Sequence, residues 1–118
     1  MRTTKADPLD SQPAAVTRAL RRFAEATRER LGDRVEHLVF FGSRARGNAR
    51  PDSDIDVLVV VADLDWDTEN EVLNLAADVG LEHDVALSPV VLKAETFETW
   101  RRQERPLVMD AARQGVPL

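Results

Sequence analysis

Apolar residues at spacings of three and four, Val16, Leu20, Phe23 and Leu31 with Thr27 in the same row, mark one face of a helix. With Asp10 or Ser11 as cap, Pro13 in the first turn and Gly32 as the stop, the pattern predicts a helix over residues 11–31. Its other face carries Arg18, Arg21, Arg22, Arg28 and Arg30 with Glu25 and Glu29 between them, the usual make-up of a solvated surface. The period then changes. Val35–Phe41 is rich in β-branched and aromatic residues and ends at Gly42, which predicts a first strand. The polar residues 44–53 hold Gly47, Asn48 and Pro51 and so form a loop, with room for one helical turn after Ser43.

A second strand follows over Ile55–Val61. Side chains alternate across a strand, so Ile55, Val57, Val59 and Val61 share a β-branched core face. Asp54, Asp56, Leu58 and Val60 share the other face, and the two acids point together away from that core. Beyond a connector at 64–66, Thr68 and Glu71 make a capping box for a helix with the stripe Val72, Leu75, Ala76 and Val79, ended by Gly80. Residues 84–92 read as a third strand that opens on Asp84, places Ala86 and Ser88 on the same face, and loses regular pairing at Pro89. Two short helices close the chain, one over 94–103 with Phe97 and Trp100, the other from Pro106 through Leu107, Val108 and Ala111 to Gly115. His37, alone inside the first strand, reads as structural. The sum is a flexible lead-in at 1–10 and a single α+β domain over 11–118, with a short mixed sheet, helices on one face and the other face left for chemistry.

Composition narrows the function classes. At 118 residues with 43% hydrophobic and 31% charged, the chain has material for one modest core. No apolar run approaches the roughly 20 residues of a membrane span, the first ten residues lack the apolar segment of a secretory signal, and there is no cysteine. Disulfides, thiolate metal sites and a cysteine nucleophile are thereby excluded, and a cytoplasmic home is expected. A net charge of −5 argues against a general nucleic-acid binder. Yet Arg44, Arg46 and Arg50 all fall in the loop that faces the two acids. Phosphate and cation handled side by side would account for that arrangement.

Two carboxylates two apart on a strand have Cα atoms about 6.5–7 Å apart. Both can then reach a pair of divalent ions about 3.5–4 Å from one another. A third acid from a neighbouring strand would complete the cluster, and Mg²⁺, which prefers hard oxygen ligands, would relieve its internal repulsion. Gly42 lets backbone approach a ligand closely and the Ser43 hydroxyl can bond a phosphate oxygen. Arg44, Arg46 and Lys93 are further candidates for triphosphate contacts. Trp66, Phe97, Trp100, Leu107 and Val108 are either core or an apolar docking surface.

The run Gly42-Ser43, ten residues, Asp54-Ile55-Asp56 resembles the GSx10DxD signature of the minimal nucleotidyltransferases (MNT), a branch of the polymerase-β-like superfamily. The resemblance covers nearly the whole chain and implies a nucleotidyltransferase fold. It implies that Asp54 and Asp56 hold metal, two Mg²⁺ ions in the family pattern, and that Gly42 and Ser43 contact the nucleotide phosphates. Asp84 would be the third carboxylate, with Glu82 as its competitor. The implied activity is transfer of AMP from ATP to a hydroxyl. Free-standing members pair with a HEPN-domain protein, as antitoxin to a HEPN ribonuclease toxin, in some cases by adenylylating it. Occlusion of the partner without catalysis, and transfer to a small molecule or a tRNA end, are the alternatives.

Overall fold

The computed structural model describes residues 8–47, 50 and 52–118. Most of the lead-in, residues 1–7, lies outside them. Its end does not: Pro8–Ser11 forms a 3₁₀ turn whose Leu9 is buried in the core. Helix α1 then runs over Ala14–Leu31, two to three residues later than the capping residues foretold, because that turn occupies the expected start. Gly32, at φ 57°, ends it as expected.

Strand β1 (Val35–Phe41), the four-residue turn α2 (Ser43–Arg46) and strand β2 (Ile55–Val61) follow in the expected order. Helix α3 (Trp66–His83) begins earlier than the Thr68 capping box would place it. Asp65 is the cap, and its side chain accepts a hydrogen bond from Thr68 N at 2.7 Å. Gly80 does not stop this helix. A Cβ there would stand 2.7 Å from the Val85 carbonyl oxygen, so the glycine lets the exit turn of the helix fold back against it, and the stop is Asp84 in the left-handed region at φ 55°. Strand β3 (Leu87–Lys93) therefore starts three residues later than expected and runs past Pro89. As an edge strand it can direct the missing N–H away from the ladder. Helices α4 (Ala94–Arg102) and α5 (Pro106–Gln114) precede a two-residue strand β4 (Val116–Pro117), too short to be read in the sequence.

The sheet has the order β3-β2-β1-β4. The pairs β1–β2 and β1–β4 are antiparallel, whereas β2 and β3 are parallel, joined by α3 as the crossover that parallel strands require. The phase expected for β2 holds: Ile55, Val57, Val59 and Val61 are buried against Phe23 and Leu20 of α1 and Val72 and Val79 of α3. On the second face, Leu58 and Val60 are buried as well, in a smaller cluster with Phe41, Phe97, Leu107 and Ala111. The short helices α4 and α5 thus cover the far half of that face. What remains open is the end carrying Asp54 and Asp56.

Of the five residues that were either core or docking surface, Phe97 and Leu107 pack into this second cluster and Val108 is buried. Trp100 is partly buried, with the Arg105 guanidinium 5.0 Å from its ring centre. Trp66 alone is well exposed, at 74%. His37 packs against Phe97 with ring centres 4.8 Å apart and planes tilted by 42°, in keeping with a structural role. No helix among the described residues is long and apolar enough to cross a membrane.

Candidate active site

The open end of the sheet is built by the chain reversing at Gly42. This residue has φ 85° and ψ −164°, a conformation L side chains rarely adopt, and it caps α2. It is also fixed from the other side. A Cβ on Gly42 would fall 2.3 Å from Oδ2 of Asp56, so the carboxylate lies directly over the glycine backbone. The Gly42-Ser43 turn and Asp56 of β2 consequently stand against one another, a closeness their separation in sequence only implied. Ser43 is half-buried at the first position of α2.

Asp54 stands exposed just ahead of β2, while Asp56 is half-buried within it, paired in register with Phe41 on one side and Ser88 on the other. Partial burial pushes the Asp56 carboxyl above its ordinary pKa, the negative charge of Asp54 adds to this, and Arg46 opposes both. Asp110, from α5, is a further raising influence. Its carboxylate accepts a hydrogen bond from Arg46 Nη1 at 2.9 Å. Asp110 was missed in the sequence because it lies 64 residues from Arg46 and belongs to no local pattern. Its only signal was being the one acid of α5.

The loop arginines divide their work. Arg46 stands among the acids. Arg44 donates from Nε to the Ser53 carbonyl at 2.7 Å, and its own carbonyl accepts from Gln12 Nε2 at 2.9 Å, so it ties the two ends of the loop to the start of α1. Arg50 bonds Ser53 Oγ through its backbone N–H, closing the turn that leads into Asp54. Asn48, Ala49 and Pro51 lie outside the described residues.

Three candidates do not join the carboxylate pair in a metal-sized cluster among the described residues. Asp84, expected as the third acid at the head of a strand, is instead the left-handed cap of α3 and lines a groove shared with Arg44 and Ser53. Glu82 is exposed on the last turn of α3. Lys93 pairs with Val61 at the opposite end of β3 from Ser88, about 16 Å along the strand from Asp56. Among the described residues no group of three His, Cys, Asp or Glu stands close enough to hold a metal ion. Two hard carboxylates remain whose like charges are only partly offset by Arg46, a donor set suited to Mg²⁺ completed by phosphate oxygens and water.

The family model described as Nucleotidyltransferase domain matches residues 20–106 of this chain. A Methanocaldococcus jannaschii protein named "Putative protein adenylyltransferase MJ0141" is 33% identical over 70 residues, 58% of this chain and 70% of that protein. Among solved structures, one described as "Structure of putative minimal nucleotidyltransferase" is similar with a TM-score of 0.56 and 27% identity, over 92% of this chain and 99% of the other. A toxin-antitoxin crystal structure with AMP-PNP is similar with a TM-score of 0.51 and 21% identity, over 80% and 68% of the two chains, a likeness of fold alone.

Proposed function

Since the chain belongs to the nucleotidyltransferase domain family and is a nucleotidyltransferase, we propose that it moves AMP from ATP to a hydroxyl on a partner protein, as the antitoxin of a HEPN ribonuclease toxin. The single observation that carries the chemistry is the Asp56 carboxylate lying over the Gly42 backbone with Asp54 beside it. That arrangement brings a phosphate-sized turn and a cation-binding pair into one site. Its relative in Methanocaldococcus jannaschii, named for protein adenylylation, supports a protein as acceptor. The toxin-antitoxin structure that shares its fold contains a nucleotide analogue, which supports both ATP and the toxin-antitoxin setting.

In this reading Asp54 and Asp56 hold Mg²⁺, which when bound supplies charge neutralisation for the triphosphate and for the leaving pyrophosphate. Ser43 donates its hydroxyl to a phosphate oxygen, and Gly42 allows the triphosphate to approach the turn without a side chain in the way. Arg46 leans on the phosphates as well as on Asp110. The acceptor hydroxyl gives its proton to water as its oxygen bonds to the α-phosphorus and the bond to the bridging oxygen breaks, and pyrophosphate carries that oxygen away.

The test is incubation with ATP, Mg²⁺ and the product of the adjacent gene, followed by intact mass of that product. A gain of one or more AMP units is expected, and is lost when Asp54 and Asp56 are both changed to Asn. Absence of any gain in a confirmed complex would refute the transfer. Neutralisation of the toxin that survives the double change would replace it with occlusion.

A further inference from the structure

Helix α3 has an outer face that none of the described residues covers. At about 100° per residue, Trp66, Leu73, Ala77 and Leu81 fall within one narrow stripe along its length. Trp66 is 74% exposed, Leu73 41% and Leu81 84%, and these are the exposed large apolar side chains of the described residues. Single exposed apolar residues are ordinary, but a row of them aligned over four turns is not. Beside the row, toward α1, stand Asp67, Glu71, Asp78 and Glu82. From residue 63 to residue 92 the chain has eight acids and no Lys or Arg. Arg30 of α1 reaches this rail only by its ion pair with Glu71 at 2.8 Å.

At its C-terminal end the stripe runs into a groove of about 680 Å³. Ala77 and Leu81 form its near wall, Pro13 and Val16 of α1 its far wall, and Arg44 and Ser53 its end beside the nucleotide site. A helix seated along α3 would therefore point its end toward Ser43 and Asp54.

We propose that the outer face of α3, with this groove, is the docking surface for a basic amphipathic helix of the partner protein, one whose apolar stripe meets Leu73 and Leu81 and whose Lys or Arg residues meet the acidic rail. The proposal deepens the reading of a protein acceptor, since it places that protein's seat next to the site. The charge selects the occupant. Nucleic acid and anionic lipid would be repelled by the four acids of the rail, and a second copy placed face to face would set one acidic rail against the other. A basic helix gains on both counts, apolar burial along the stripe and charge pairing at its edge.

The probe is a synthetic helical peptide about 18 residues long with Leu along one stripe and Lys on its flanks, titrated into the isotope-labelled protein while backbone amide signals are followed by NMR. Two control peptides replace Lys by Glu, or Leu by Ser. The Leu/Lys peptide is expected to shift signals from residues 66–84 and from the groove, and Leu81→Glu to weaken its binding about tenfold or more. Leu73→Ser, a change at a less exposed position checked for an unaltered far-ultraviolet CD spectrum, is expected to act in the same direction. Shifts elsewhere than α3 and the groove, or none, would overturn the proposal. So would equal binding by either control peptide, or concentration-dependent dimerisation through α3. No nucleotide takes part in this titration, so its failure leaves AMP transfer standing, and a missing mass gain leaves the docking surface standing.

Discussion

Gly42→Ala separates the two demands made on that glycine. The first is conformational: at φ 85° an alanine carries a penalty of about 1–2 kcal/mol. The second is spatial, because the new Cβ would stand 2.3 Å from Oδ2, 3.2 Å from Cγ and 3.3 Å from Cβ of Asp56. Asp56 belongs to a central strand with Val57 and Ile55 buried on either side, so the carboxylate must rotate off the turn, costing roughly 1–2 kcal/mol more. Gly47 provides the control. It has φ 80°, yet an added Cβ there meets nothing within 4 Å. For a domain of this size 1 kcal/mol corresponds to about 4 °C in Tm. Gly47→Ala is thus expected to lower Tm by about 4–8 °C and Gly42→Ala by about 8–16 °C in thermal melts. Combining Gly42→Ala with Asp56→Ala should recover the spatial part and leave the conformational part, a coupling read from the double-mutant cycle. Equal losses at the two glycines, or no recovery in the double variant, would refute the account of Gly42 as the wall against Asp56.

Three other outcomes follow from the same coordinates. Thr27 is fully buried and its hydroxyl has no hydrogen-bond partner among the described residues, so Thr27→Val is expected to raise stability by about 1 kcal/mol in chemical denaturation. The Asp56 carboxyl is raised above 3.8 in the folded state, which then holds its proton more tightly than the unfolded chain. The resulting penalty is absent below 3.8 and complete above the raised value, so in EDTA Asp56→Asn should melt higher than the parent at neutral pH, with the gap closing as pH falls through that window. Arg46→Ala removes the group that opposes this rise, and should move the window to higher pH while costing under about 1 kcal/mol for the part-exposed pair with Asp110.

What the sequence made legible was periodic or local. The β-branched face of β2, the stripe of α1 and the turn after Ser43 all follow from spacing alone. What it hid depended on how segments pack against one another, whether near or far along the chain. Gly80 reads as a stop because glycines end helices, whereas here it is required by the Val85 carbonyl. Pro89 reads as an interruption unless β3 is known to be an edge. Asp110 joins the site only because α5 folds back over the second face of the sheet, and Trp66 cannot be told from a core residue until α3 is docked by its other side.

Asp84 is the residue on which resemblance and geometry part. Resemblance makes it a third ligand, and the structure makes it a helix cap in the left-handed region, where Asp and Asn are the side chains most readily accommodated after Gly. The strand position opposite Asp56 is held by Ser88, so β3 offers no acid there. If the cap is its role, Asp84→Asn should leave Tm within about 1 °C and Mg²⁺ affinity, followed by calorimetry in the presence of AMP-PNP, within about twofold, while Asp84→Val, a β-branched residue poorly suited to φ 55°, should cost about 1–2 kcal/mol. Asp54→Asn should abolish the same Mg²⁺ binding. A loss of about tenfold or more in Mg²⁺ affinity for Asp84→Asn, with Tm unchanged, would instead mean that the end of α3 unwinds toward the carboxylate pair when nucleotide binds, and that the cap seen here is only one of its two positions.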